Sequence, residues 1–238
     1  MAVFVFDIDD TLYRRGDAYL CAYHKVIGAI PGVDDDTVIR VSRHWSDLEF
    51  DRYGRGEISM EEMNILRVQH TYHEFGIEVS EERAKRFQDA YKQAQSDMQL
   101  LPEMRETLLY LKKKKIVTGV LSNGESAHQR FKYHSLHLEE LIPEENVLVS
   151  GDIGITKPDP EIFRVFEERT GAPRDEYWFV GDSPENDMDG AAAAGWHFIW
   201  IRWEDQYPEN HNRRTGIKAD HILRGTDGIL EIVREIVG

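Results

Sequence analysis

Val3-Phe4-Val5-Phe6 is apolar at every position and stops at Asp7, Asp9 and Asp10, three carboxylates within four residues. A run apolar on both faces is a strand buried in the middle of a parallel sheet, covered by helices on either side. Ligands of open α/β sheets sit beyond the carboxyl ends of such strands, so these acids are expected at the edge of a site. From about Asp17 to Gln99 the period changes and the pattern reads as helical throughout. Asp17 is placed to cap a helix carrying Tyr19, Leu20 and Tyr23, and Asp34 to Asp36 open a second with Val38, Val41, Trp45 and Leu48. Ser59 with Glu62 forms a capping box before Met63 and Leu66, and Ser80-Glu81-Glu82 opens a further helix through Phe87 and Tyr91. Within this stretch only Ile77–Val79 carries a strand signal.

Strand and helix alternate again from Leu101. Pro102 starts a helix that ends in Lys112 to Lys115, where positive charge suits the carbonyl end. Strands are expected at Ile116–Leu121, Val147–Ser150, Tyr177–Val180 and Phe198–Ile201, with a weaker one near His221–Leu223. Helices are expected from Glu125, over Pro160–Gly171 and Pro184–Gly195, and through Ile229 to Ile236. This order predicts an α/β protein with a doubly wound parallel sheet, residues 1–13 and 101–238, and an all-helical insertion over 14–100.

Composition adds limits rather than detail. The chain of 238 residues is long enough for a full core, and its hydrophobic and charged fractions are those of an ordinary globular protein. A net charge of −15 argues against a nucleic-acid polymer or an anionic membrane as partner. Cys21 is the single cysteine, so no internal disulfide forms; buried filler in a reducing cytoplasm is its expected role. No segment approaches a membrane span, and a cytoplasmic monomer or homodimer is the expectation.

Four predicted strand ends carry polar groups. The first has Asp7 and Asp9; the second Ser122 and Asn123 at a helix N-terminus, where free N–H groups favour a phosphate. Lys157 follows the third, and the fourth runs Gly181-Asp182-Ser183-Pro184-Glu185-Asn186-Asp187. Hard oxygen ligands of this kind suit Mg²⁺ rather than zinc. The plain alternative for the first acids is a solvated acidic turn.

Together these segments resemble the four motifs of the haloacid dehalogenase-like (HAD) hydrolases, in order and across the whole chain. Asp7-Ile8-Asp9-Asp10-Thr11 resembles the first motif, Ser122 with Asn123 the second, Lys157 the third and Gly181 to Asp187 the fourth. The resemblance implies a Rossmann-like core and a helical cap that closes over the strand ends. It implies Asp7 as nucleophile, forming an aspartyl-phosphate, and Asp9 as the acid and then the base. Mg²⁺ would be held by the Asp7 and Asp182 carboxylates and the Asp9 backbone carbonyl. Ser122, the Asn123 backbone N–H and Lys157 would hold the phosphoryl oxygens, with Asp187 orienting Lys157 or a metal-bound water. Asp10 and Thr11 would steady the loop.

The resemblance therefore implies a Mg²⁺-dependent phosphatase acting on a small phosphate monoester, a nucleoside monophosphate or sugar phosphate. Dehalogenases of this superfamily lack the second aspartate, present here as Asp9. Phosphosugar mutases share it but usually carry glycine where this chain has Asp10. The Asp-Asp-Thr-Leu form resembles the nucleotidase and acylneuraminate-phosphatase branch, and Trp45, Phe50, Gly56 and the Ile58-Ser59 helix start resemble that branch's cap. A mutase, a dehalogenase and a non-catalytic binding protein remain as alternatives. Arg14, Arg15, Trp45, Phe50 and Tyr53 are candidates to face the substrate. His70 with His73 and His134 with His137 lack further ligands nearby, so they read as ordinary histidines. Trp196, Trp200 and Trp203 are expected to pack against helices, and Gln206 to Lys218 to form a surface loop.

Overall fold

The computed structural model describes residues 2–203 and 218–238. The chain divides into two compact units, Met1–Arg14 with Met98–Gly238, and Arg15–Asp97. The first contains one six-stranded sheet of order β3-β2-β1-β4-β5-β6. Its strands are β1 (Val3–Phe6), β2 (Val117–Ser122), β3 (Val147–Val149), β4 (Tyr177–Gly181), β5 (His197–Arg202) and β6 (His221–Arg224). Every adjacent pair is parallel. β1 lies at the centre, with Phe6 opposite Val120 on one side and Val180 on the other. The chain builds outward through β2 and β3, then crosses β1 to build β4, β5 and β6. The strand order thus reverses beside β1, where open sheets form their ligand crevice.

The helical unit holds α1 (Arg15–Val26), α2 (Asp35–Gly54), α3 (Met60–His73) and α4 (Glu81–Ser96). Its starts are set by local capping: Asp34 accepts from Thr37 N at 2.7 Å, the Ser59–Glu62 box closes in both directions, and Ser80 accepts from Arg83 N. Asp17 differs from expectation: it lies inside the first turn of α1 rather than capping it. Ile77–Val79 also differs, forming no strand; the Val79 carbonyl takes the Gln69 side-chain amide at 2.9 Å instead of a ladder partner. Ala22, Tyr23, Val38, Val68, Tyr72, Ala84 and Phe87 form this unit's own core.

The sheet is covered by α5 (Pro102–Lys114), α6 (Ser126–Ser135), α7 (Ser150–Ile153), α8 (Pro160–Thr170), α9 (Asp189–Ala194) and α10 (Ile229–Val237). Period-two alternation along β1 sends Phe4 and Phe6 into one cluster with Met104, Leu108, Leu111, Ile229 and Val233. Val3 and Val5 enter the other, with Ile162, Phe163, Phe166 and Ala191. Burial on both faces is what made β1 legible as a central strand.

Cys21 is exposed, which corrects its expected role as buried filler: α1 turns it away from the face that buries Ala18 and Ala22. No helix of the described residues is long and apolar enough to cross a membrane. The expected surface loop Gln206 to Lys218 lies outside the described residues apart from Lys218.

Candidate active site

Asp7 follows β1 directly, and its backbone N–H donates to the Val180 carbonyl at 2.9 Å, so its Cα is tied to β4. The side chain is buried, as are Lys157, Asp182 and Asp187. Lys157 Nζ donates to Asp7 Oδ1 and to Asp187 Oδ1, each at 2.7 Å. Carboxylate oxygens of Asp7, Asp182 and Asp187 lie within 4.8 Å of one another. One ammonium balances one of three clustered carboxylates, and the negative charge left over, carried on hard oxygens, fits a divalent cation such as Mg²⁺. Burial pushes the Asp7 carboxyl up to about 6; Lys157 opposes this, while Asp187 and Asp9 add to it. For Lys157 burial alone would lower the ammonium, but Asp187 and Asp7 together hold it above its ordinary value.

The local fold explains how these groups meet. A Cβ at Gly181 would lie 2.3 Å from Asp187 Oδ2, so glycine is what lets the Asp187 carboxylate approach the end of β4. The stretch expected as the start of a regular helix is a π turn, Pro184–Met188, before α9. Ser183 N donates to Asp187 Oδ2 at 3.1 Å within that turn. Trp200 Nε1 donates to the Asp182 carbonyl at 2.8 Å, holding the same loop from β5.

Asn123 follows the end of β2, and its side chain clamps the Lys157 backbone in both directions: Nδ2 to the Lys157 carbonyl at 2.9 Å, and Lys157 N to Oδ1 at 2.8 Å. Its side chain thereby places the lysine. Ser122 is buried as the last residue of β2. Ser150 opens α7 instead of extending β3, because its hydroxyl receives Gly124 N at 2.9 Å.

Asp9 is held by groups that sequence reasoning did not single out. Lys132 Nζ lies 2.8 and 2.6 Å from its two carboxylate oxygens, Tyr13 Oη donates to Oδ1 at 2.5 Å, and Gln129 Nε2 to Oδ2 at 3.2 Å. Gln129 and Lys132 are one turn apart on α6 and both buried, a spacing that puts them on one face. That spacing was the only available signal. Asp10 has φ of 57°, the left-handed region open to glycine, asparagine and aspartate. Its carbonyl accepts from Trp203 Nε1 at 2.6 Å, and the Arg14 guanidinium stacks 3.9 Å over the Trp203 ring. Trp203 thus braces the first loop in addition to packing.

In the helical unit, the Trp45 and His70 rings meet at 4.7 Å, tilted by 53°, while Phe50 is 61 % exposed beside Tyr53. Arg15 lies near Asp47. His70 pairs with buried Glu49 at 3.0 Å, His73 with Glu78 at 2.9 Å and His134 with Glu139 at 3.8 Å. Among the described residues the only metal-compatible acid and histidine cluster is Asp7, Asp182 and Asp187.

A six-stranded parallel sheet with a carboxylate–lysine cluster at its reversal point is a doubly wound, Rossmann-like α/β core with a polar site at its strand ends. The profile of haloacid dehalogenase-like hydrolases matches residues 1–195, and the chain belongs to that family. It is 32% identical over 120 residues to a phosphoserine phosphatase of Thermus thermophilus, covering 50% of this chain and 47% of that protein. It is 24% identical over 238 residues to a glyceraldehyde 3-phosphate phosphatase of Methanopyrus kandleri, covering 98% and 97%. The chain spans about half the length of the first curated relatives it matches, 47% and 54%. A HAD hydrolase of Bacillus subtilis, YfnB, solved bound to magnesium, has the same fold: TM-score 0.69 at 20% identity over 98% of each chain. Haloacid dehalogenases and a structure described as a β-phosphoglucomutase also match.

Proposed function

We propose that the protein is a Mg²⁺-dependent phosphatase that hydrolyses a small phosphate monoester through an aspartyl-phosphate on Asp7. The observation that carries this reading is the Lys157 ammonium set 2.7 Å from both Asp7 and Asp187 beside Asp182. Such a site is negative enough to take a divalent cation and cationic enough to receive a phosphoryl group. Phosphatases among the matching relatives support the reaction class.

In the first step an Asp7 oxygen attacks phosphorus, and the bond to the ester oxygen breaks. Asp9 delivers its proton to that leaving oxygen. In the second step water attacks the same phosphorus, Asp9 takes the water's proton, and the bond from phosphorus to Asp7 breaks. The net change is ester plus water to alcohol plus phosphate. Lys157, Ser122 and the Asn123 backbone N–H receive the charge on the phosphoryl oxygens, and Asp187 keeps Lys157 in place. Mg²⁺ held by the Asp7 and Asp182 carboxylates and the Asp9 carbonyl would neutralise part of the charge on nucleophile and phosphoryl group.

Phosphate release from a panel of nucleoside monophosphates, sugar phosphates and other alkyl phosphates, with Mg²⁺ or with EDTA, tests this reading. Release is expected with Mg²⁺, lost in EDTA, and lost in Asp7→Asn. Turnover of a sugar phosphate without phosphate release would favour a mutase, and halide release from a haloacid a dehalogenase.

A further inference from the structure

The loop after β1 closes in one tight turn, with Leu12 N donating to the Ile8 carbonyl at 3.0 Å and Asp10 at φ of 57°. That left-handed conformation is unfavourable for a residue with a side chain and persists where the surroundings hold it. Here the hold comes from far along the chain. Trp203, directly after β5, donates its indole N–H to the Asp10 carbonyl at 2.6 Å across a separation of 193 residues. The indole is itself braced. The Arg14 guanidinium lies 3.9 Å over the ring, and the turn after β6 approaches so closely that a Cβ at Gly225 would lie 3.1 Å from Trp203 Cζ3. The two peptide planes that meet at the Asp10 Cα turn only about φ and ψ. With Asp10 left-handed and its own carbonyl held, the direction of the preceding carbonyl, that of Asp9, is set as well.

We propose that Trp203 is a positioning residue for the metal site: by holding the Asp10 carbonyl it aims the Asp9 carbonyl, the backbone ligand assigned to Mg²⁺. The inference rests on the Mg²⁺-dependent reading given above. A ligand held in place before binding takes the cation more tightly, because binding need not order it. The effect of Trp203 therefore falls on affinity for the cation, and saturating cation restores turnover.

The test is calorimetric titration of the full chain with Mg²⁺ alone, paired with kcat at saturating Mg²⁺. Trp203→Phe, which keeps an aromatic ring and removes the donor, is expected to raise the Mg²⁺ Kd by about fivefold to tenfold and to change kcat by less than about threefold. Gly225→Ala pushes on the same indole, so it should raise Kd too, and the double variant should exceed Trp203→Phe by less than about twofold. Trp178→Phe, in β4 with its ring stacked on His197, is the control and should leave Kd unchanged. Equal rises in Trp203→Phe and Trp178→Phe, additive rises in the double variant, or a kcat loss that saturating Mg²⁺ does not restore overturn the inference. Thermal unfolding checks folding; if Trp203→Phe does not fold, Gly225→Ala is read by the same criteria. A wild-type chain that binds no Mg²⁺ overturns the metal reading and this inference with it. A wild-type chain that binds Mg²⁺, beside a folded Trp203→Phe with the same Kd, overturns this inference alone.

Discussion

Gly181 shows how one missing side chain can decide a site. Its position in β4 would admit a larger residue only by displacing the Asp187 carboxylate, which stands 2.3 Å from where a Cβ would lie. Asp187 is in turn the second acceptor of Lys157. Gly181→Ala is therefore expected to lower phosphate release by about 100-fold or more while costing about 1–3 kcal/mol in stability, read from kcat and from denaturant unfolding in parallel. Activity near wild type would mean that Asp187 does not need its present position. The residues most legible in the sequence were those that follow apolar runs: Asp7 after β1, Ser122 at the end of β2, Asp182 after β4. Lys132 was not legible, because on α6 it stands between Arg130 and His134 and reads as part of a solvated last turn. Its burial depends on Asp9, 123 residues earlier, a pairing no local pattern encodes.

At the level of elements, legibility followed whether an element's cause was local. Helix starts written in caps, such as Ser59 with Glu62, formed where expected. Ile77–Val79 had strand-forming residues but no neighbouring strand to supply a ladder, and strand propensity alone does not hold a segment extended. The stretch after Ser183 reads as an ordinary helix because Pro184 and the alanines that follow suit one. The π turn arises instead from Ser183 and Asp187 closing on each other. Single-turn π bulges of this kind are frequent at functional sites. α10, the last element, is amphipathic and buries Ile229 and Val233 in the same cluster as Phe4 and Phe6. Ile229→Ala should cost about 2–5 kcal/mol, measured by urea unfolding, with KM little changed since Ile229 belongs to the apolar cluster under the sheet rather than to the acid–lysine cluster. A loss under about 0.5 kcal/mol would show that α10 adds little to the core.

Across the whole molecule, the two units bury separate apolar clusters. The core of Arg15–Asp97 draws on residues of that stretch, including Tyr23, Tyr72 and Phe87. The two clusters on the sheet faces draw on the rest. The acids proposed to hold Mg²⁺ all lie in the unit that carries the sheet. Ligand binding stabilises the unit that binds it, by about 2.7 kcal/mol at a concentration 100 times Kd. Calorimetry should then separate two responses. Saturating Mg²⁺ is expected to raise the unfolding of the sheet-bearing unit, and Asp182→Asn to abolish that rise. Phe87→Ala, which empties a fully buried ring site, should lower the unfolding of the helical unit by an amount in the range of about 3–5 kcal/mol and leave the Mg²⁺-dependent rise in place. Loss of the Mg²⁺ response in Phe87→Ala would make the helical core a condition for binding the cation. The site would then not be a property of the sheet-bearing unit alone, and the assignment of its ligands to Asp7, Asp9 and Asp182 would have to be reopened.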